Sequence, residues 1–303
     1  MIDNNAILEK IARLKQEQNA IILAHNYQIE EVQDAADYVG DSFELSRIAA
    51  DSHADIIVFC GVHFMAESAA ILSPDKTVLL PDLNAGCPLA DMIDAEQLIA
   101  FKKQHPDAVV VTYINSTAAV KAESDICITS ANAVKIVNSL TEDQVLFVPD
   151  GNLAHFVAQR TSKTIIPWAG YCNTHHRVTV EDVEQARKLH PEAVLVVHPE
   201  CRPEVVALAD AALGTGGMIR YSKETAVKDI LIGTEMGMLH RLKKECPDKN
   251  FILLSPKLIC PNMKYTNLEK ILASLQNRVH IITVPPEIRE RAVLALERML
   301  AVK

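Results

Sequence analysis

The stretch AIILAHNY (residues 20–27) decides the fold, because it returns twice, as AVVVTYIN (108–115) and as AVLVVHPE (193–200). Each copy is a short apolar run that ends in a polar cluster. An unbroken run of this length, rich in β-branched residues, reads as a strand buried on both faces of a parallel sheet. The clusters that follow are His25-Asn26-Tyr27, Tyr113-Ile114-Asn115 and His198-Pro199-Glu200, and their first residues lie 88 and then 85 positions apart.

The same offsets recur outward from these strands. Asp37, Asp125 and Asp210 each stand five residues before a hydroxyl, at Ser42, Ser130 and Thr215. Each hydroxyl opens a stretch compatible with helix: SFELSRIAADS, SANAVKIVNSL and TGGMIRYS. Strand-like runs IIVFCG, VLFVPDG and ILIGTE follow, and then last strands within TVLLPDLNAGC, TIIPWAGYC and FILLSPKLIC. Strands alternating with helices imply parallel sheets joined by right-handed crossovers. The expected fold class is α/β: three similar αβα sandwich units with parallel four-stranded sheets, in pseudo-threefold symmetry around a central active site. The units are expected at 1–88, 89–173 and 174–262. One more helix, PEIRERAVLALERML, is expected in the 263–303 tail, completing the first unit.

Composition narrows the function. With 49% hydrophobic and 23% charged residues, the 303-residue chain can bury a sizeable core. A net charge of −9 argues against nucleic acid as a partner. No apolar run reaches the roughly 20 residues needed to cross a bilayer, so no membrane role is expected. The start of the chain is polar and then amphipathic, with Ile7, Leu8, Ile11 and Leu14 on one helical face, and does not read as a secretory signal. Seven cysteines without such a signal point to metal, catalysis or packing rather than disulfides.

Three of those cysteines carry the repeat. Cys87, Cys172 and Cys260 end the three last-strand segments, so each unit is expected to supply one thiolate to a shared cavity. Ligands in open α/β sheets bind beyond the carboxyl ends of strands. Three converging thiolates suit a soft metal centre. A [4Fe–4S] cluster held by three would leave one iron free for substrate, while zinc with an open fourth position is the competing reading. Cys60 and Cys127 lie inside apolar strands and read as core, and Cys246, at a helix end, reads as inert surface or packing. Cys201 stands beside Glu200 without counterparts in the other units.

The stretches AHNYQ (24–28), GDSFELS (40–46), FCGVHFMAES (59–68), PDLNAGCPLAD (82–91), YINST (113–117), TSANA (129–133), FVPDGNLA (147–154), WAGYCNTHHR (168–177), HPEC (198–201), GTEMGMLHRL (233–242) and CPNMK (260–264) resemble the quinolinate synthase family, in order along nearly the whole chain. Two departures stand out. Many relatives carry a serine where Gly214 precedes Thr215, and some carry a CxxCxxC run where this chain has Met263. The resemblance implies a cytoplasmic enzyme of NAD biosynthesis that condenses iminoaspartate with dihydroxyacetone phosphate to quinolinate, phosphate and water. It implies a [4Fe–4S] cluster on Cys87, Cys172 and Cys260, and transient contact with L-aspartate oxidase, which makes the imine.

The resemblance and the strand-end positions together set the expected roles. Tyr27 and Glu200 form the leading acid–base pair, and His25 and His198 bind carboxylates or assist proton movement. Ser42, Ser130 and Thr215, at expected helix starts, hold carboxylates and phosphate or act as N-caps. Tyr113 and Asn115 line the pocket, and His175 contacts substrate or cluster. His176 reads as surface, His63 as helix packing, and Glu235 as either an orienting or a structural carboxylate. Two rival readings use the same cavity: a three-Cys zinc or iron–sulfur hydro-lyase with no phosphate subsite, and a non-catalytic anion-binding protein.

Overall fold

Twelve short parallel strands form three separate sheets in the computed structural model, which describes residues 4–302. Residues 1–3 and 303, included in the expected first unit, lie outside the described residues. The first sheet holds β1 (Ala20–His25), β2 (Tyr38–Gly40), β3 (Ile56–Cys60) and β4 (Thr77–Leu79). The second holds β5 (Val109–Tyr113), β6 (Ile126–Ile128), β7 (Gln144–Val148) and β8 (Thr164–Pro167). The third holds β9 (Val194–Val197), β10 (Ala211–Ala212), β11 (Asp229–Gly233) and β12 (Asn250–Leu253). Their orders, β2-β1-β3-β4, β6-β5-β7-β8 and β10-β9-β11-β12, are identical.

The repeated aspartate makes this pattern locally. Asp37 Oδ2 accepts the Ile22 N–H at 2.7 Å, Asp125 Oδ2 accepts that of Val110 at 2.8 Å, and Asp210 Oδ2 accepts that of Leu195 at 2.7 Å. In return, the N–H groups of the three aspartates donate to the carbonyls of Ile22, Val110 and Leu195 at 2.9, 3.1 and 2.9 Å. Each unit therefore fastens its second strand to its first with the same side chain. Burial on both faces explains the apolar sequences: every residue of β3 is buried, as are all of β6.

Helices lead into the sheets with matched caps. Ala95–Gln104 opens with an Asp94–Gln97 capping box, and Val180–Leu189 with a Thr179–Asp182 box. Helix Asn4–Glu17 precedes β1 in the equivalent place. One apolar cluster runs through all three units, taking Leu23 and Phe59 from the first, Val111 and Phe147 from the second, and Val196 and Ile232 from the third.

The tail corrects the expectation of a single helix on the first unit. It forms two. Leu268–Asn277 packs on helix Asn4–Glu17 and on β3 of the first unit. Pro286–Ala301 packs mainly on helix Ala118–Ala122 and β6 of the second unit, and touches helix His63–Leu72 of the first. Its apolar stripe of Ala292, Ala295, Leu296 and Met299 is buried there, and Arg291 pairs with Glu123 at 2.6 Å. A small, alanine-rich face lets this helix sit close to the short one beneath it.

Candidate active site and metal centre

A cavity of about 200 Å³ lies among the three units. His25, Tyr27, Tyr113, Asn115, His198 and Glu200, from the ends of β1, β5 and β9, line it. Ser42, Ser130, Thr215, His175, Cys87, Cys172 and Cys260 complete the residues that the sequence singled out, and all of them lie in the same wall. The cavity thus draws on equivalent positions of all three units.

The hydroxyls meet there, but none is an N-cap. Asp41 caps helix Ser42–Asp51, its carboxylate accepting the N–H groups of Phe43 and Glu44, because an acidic side chain serves the exposed amides and the helix dipole better than the following serine. Ser130 lies in the turn before Ala133–Ser139, and Gly214 precedes Thr215 at the start of Thr215–Glu224. The Thr215 hydroxyl accepts from Asn26 Nδ2 at 2.9 Å, tying the third unit to the first. The second and third meet just as closely: a Cβ on Gly214 would fall 2.8 Å from Ser130 Oγ.

Polar side chains from the first and third units form one chain of short contacts. The Tyr27 hydroxyl is 2.7 Å from Thr234 Oγ1, and Thr234 Oγ1 is 2.8 Å from His175 Nε2. His175 Nδ1 is 2.6 Å from Glu200 Oε2. His198 stacks on His175, with centroids 4.6 Å apart, and Tyr27 sits edge-on to His25 at 4.5 Å. His25 Nδ1 accepts the Tyr27 N–H at 3.1 Å and His198 Nδ1 accepts the Glu200 N–H at 3.3 Å, which leaves Nε2 of each ring as its donor.

Burial sets the charges. Burial lowers both imidazoles, helped by His198 at His25 and opposed by Glu200 at His198, and both pKa values fall to about 3, so His25 and His198 are neutral near pH 7. Burial alone would push Glu200 up, but His198 and His175 beside it, with hydrogen bonds from His175 and Tyr113, hold its carboxyl below the usual range. Burial and the charge on Glu200 push Asp150 well above its ordinary value. Of these two carboxyls, Glu200 therefore carries the charge. Burial and Glu200 raise the phenols of Tyr27 and Tyr113 as well, so both remain O–H donors.

The seven cysteines fall into two groups by exposure. Cys60, Cys127, Cys201 and Cys246 are buried, whereas Cys87, Cys172 and Cys260 are partly exposed and line the cavity. Cys201 points its thiol at the Gly233 carbonyl, 3.5 Å away, and belongs to the third unit's core. Burial pushes the Cys87 thiol up to about 12 and raises Cys172 and Cys260 too, so a metal would have to displace their protons. Among the described residues, Cys172, His175 and Glu200 offer ligand atoms that all lie within 4.8 Å of one another, and this group could hold a metal ion. His175, however, already spends one ring nitrogen on Thr234 and the other on Glu200. Cys87, Cys172 and Cys260 on the same wall offer thiolates, donors that suit a soft metal, without drawing on that polar chain.

Sequence reading missed Thr234, the middle of that chain. It directly follows β11, so the strand-end rule applied to third strands as well as first strands finds it. Arg177, exposed on the cavity wall, and Asp150 were missed also. His63 opens helix His63–Leu72 with its ring 3.8 Å from Glu67, and His176 stacks on Tyr171 at 4.3 Å; neither lines the cavity.

Comparison with known proteins agrees with this architecture over almost its whole length. The family model described as "Quinolinate synthetase A protein" matches residues 9–301. Proteins named quinolinate synthase from Dehalococcoides mccartyi (strain CBDB1) and Methanosarcina barkeri (strain Fusaro / DSM 804) are 60% and 57% identical to the chain over 296 and 297 residues, covering 98% of both sequences in each case. That from Methanoregula boonei is 56% identical over 301 residues, 99% of this chain and 100% of the relative. With a threefold α/β frame, one cavity and full-length similarity of this order, the chain belongs to the quinolinate synthetase A family of enzymes.

Proposed function

We propose that this chain condenses iminoaspartate with dihydroxyacetone phosphate to give quinolinate, phosphate and water, using a [4Fe–4S] cluster held by Cys87, Cys172 and Cys260. One observation carries the reading: the three partly exposed thiols share a cavity wall with the Tyr27–Thr234–His175–Glu200 chain. When bound, a cluster with three protein thiolates supplies a Lewis-acidic iron for a substrate oxygen.

The side chains account for the proton traffic. His175 Nδ1–H donates to ionised Glu200, so Nε2 is free to accept from Thr234. Thr234 in turn accepts from Tyr27. A proton taken up by the Tyr27 oxygen from substrate is matched by one passed through Thr234 to Nε2, and Glu200 stabilises the imidazolium that results. Reversal of the sequence returns a proton to a departing hydroxyl. Neutral His25 and His198 offer Nε2–H donors to substrate carboxylates without bringing in a buried positive charge. Ser42, Ser130 and Thr215, with Asn115 and Tyr113, supply further donors for carboxylate and phosphate oxygens.

Small anionic substrates and a cytoplasmic setting belong to the same reading, as does transient receipt of the imine from L-aspartate oxidase. No described helix is long and apolar enough to cross a membrane. The test is an anaerobic assay of iron-loaded protein with freshly generated iminoaspartate. Quinolinate should form only when dihydroxyacetone phosphate is present. Turnover of a hydroxy acid with no phosphate-bearing partner would favour the hydro-lyase instead.

A further inference from the structure

Glu235 lies outside the proton chain, yet it is fully buried and uses both carboxylate oxygens. Oε1 accepts the Cys260 N–H at 3.0 Å and lies 2.9 Å from Lys264 Nζ. Oε2 accepts the Gly237 N–H at 2.7 Å and is 3.0 Å from the same ammonium. Lys264 Nζ spends a further donor on the Tyr27 carbonyl at 2.6 Å. A single ion pair thus grips the backbone of Tyr27 on one side and of Cys260 on the other.

The surrounding contacts fix the same turn. A Cβ on Gly237 would fall 2.7 Å from the Tyr27 carbonyl carbon and 2.8 Å from its oxygen, so only glycine allows this approach. Gln33 Nε2 reaches the carbonyls of Gln28 and Gly237, each at 2.9 Å. With its carboxylate fully buried and its ammonium side chain 21% exposed, this ion pair is a costly way to obtain stability alone, since well-packed apolar residues serve as well. What it does supply is fixed distance and direction.

We propose that Lys264 is a positioning residue which, through Glu235, locks the turn bearing Tyr27 to the loop bearing Cys260. The third thiol and the acid–base phenol then keep one separation whether or not substrate is present. This inference rests on the function proposed above for the role of those two groups. Plain structural glue would weaken the whole fold; a positioning joint acts selectively on the two segments it ties.

Lys264→Met keeps the apolar stem and removes the ammonium. In the iron-loaded full-length chain it should lower kcat by about 100-fold, the scale of a small misplacement of reacting groups, with KM within about twofold. In the metal-free full-length chain, alkylation by iodoacetamide should accelerate about tenfold at Cys260 while Cys87 and Cys172 stay within about twofold, as expected for one loop released by about 1.4 kcal/mol. Unchanged alkylation at Cys260 overturns the joint, whatever kcat does. Equal acceleration at all three thiols overturns it too, by showing general loosening. Should wild-type protein make no quinolinate, the proposed function fails, while the alkylation pattern still decides the joint.

Discussion

Thr234 shows how much can depend on one hydroxyl. It is buried, and its hydroxyl lies 2.7 Å from the Tyr27 oxygen and 2.8 Å from His175 Nε2. Thr234→Val keeps the shape and removes the hydroxyl, leaving the phenol and Nε2 without their partner. We expect kcat to fall by about 100-fold, the lower end of general acid–base contributions, with KM little changed. Steady-state kinetics on iron-loaded protein give the answer, and a kcat within about threefold of wild type would show that protons take another route. Glu200 belongs to the same scale. Its charge survives burial because His175, His198 and Tyr113 surround it, and Asp150 gives way by holding its proton. None of that balance is readable in HPEC or VPDG as letters. Residue types and strand-end positions disclose candidates, but charge state depends on which neighbours the fold brings within a few ångströms.

Among the elements, the aspartate clamp gives the clearest link between sequence and structure. Asp37, Asp125 and Asp210 make the same bond, fifteen residues back, in three sheets. Asp125→Ala should cost about 1–3 kcal/mol, because the Val110 N–H loses its acceptor in a partly buried position. Urea unfolding measures this, and equal losses for Asp37→Ala and Asp210→Ala are expected from the repeat. A loss below about 0.5 kcal/mol would mean that water replaces the carboxylate at no cost. Strands were legible here because β-branched runs are short, uninterrupted and bounded by polar residues. Helix starts were less so: Ser42, Ser130 and Thr215 looked like caps, yet Asp41 takes that role and Ser130 falls in a turn. The tail misled for a different reason. Leu268–Asn277 and Pro286–Ala301 are both amphipathic, and an apolar stripe says that a helix is covered without saying by what.

Across the whole molecule, three modules of one design enclose a shared cavity, and each contributes comparable positions to it. Spacing in the chain reveals that symmetry, because insertions between equivalent strands stay small. It does not reveal the joints between modules, which rest on contacts such as Asn26 with Thr215 and Tyr27 with Thr234, 189 and 207 residues apart. The thiols follow the same logic: the repeat picks out Cys87, Cys172 and Cys260, and the four remaining cysteines are buried. A centre built from one ligand per module should be sensitive to the loss of any one of them. Iron and acid-labile sulfide, counted per chain in strictly anaerobic preparations of wild type and of Cys172→Ser, test this most directly. About four irons with matching sulfide are expected in wild type, and loss of both in the variant. Zinc without sulfide in wild type, or a full complement of iron and sulfide in Cys172→Ser, would contradict it.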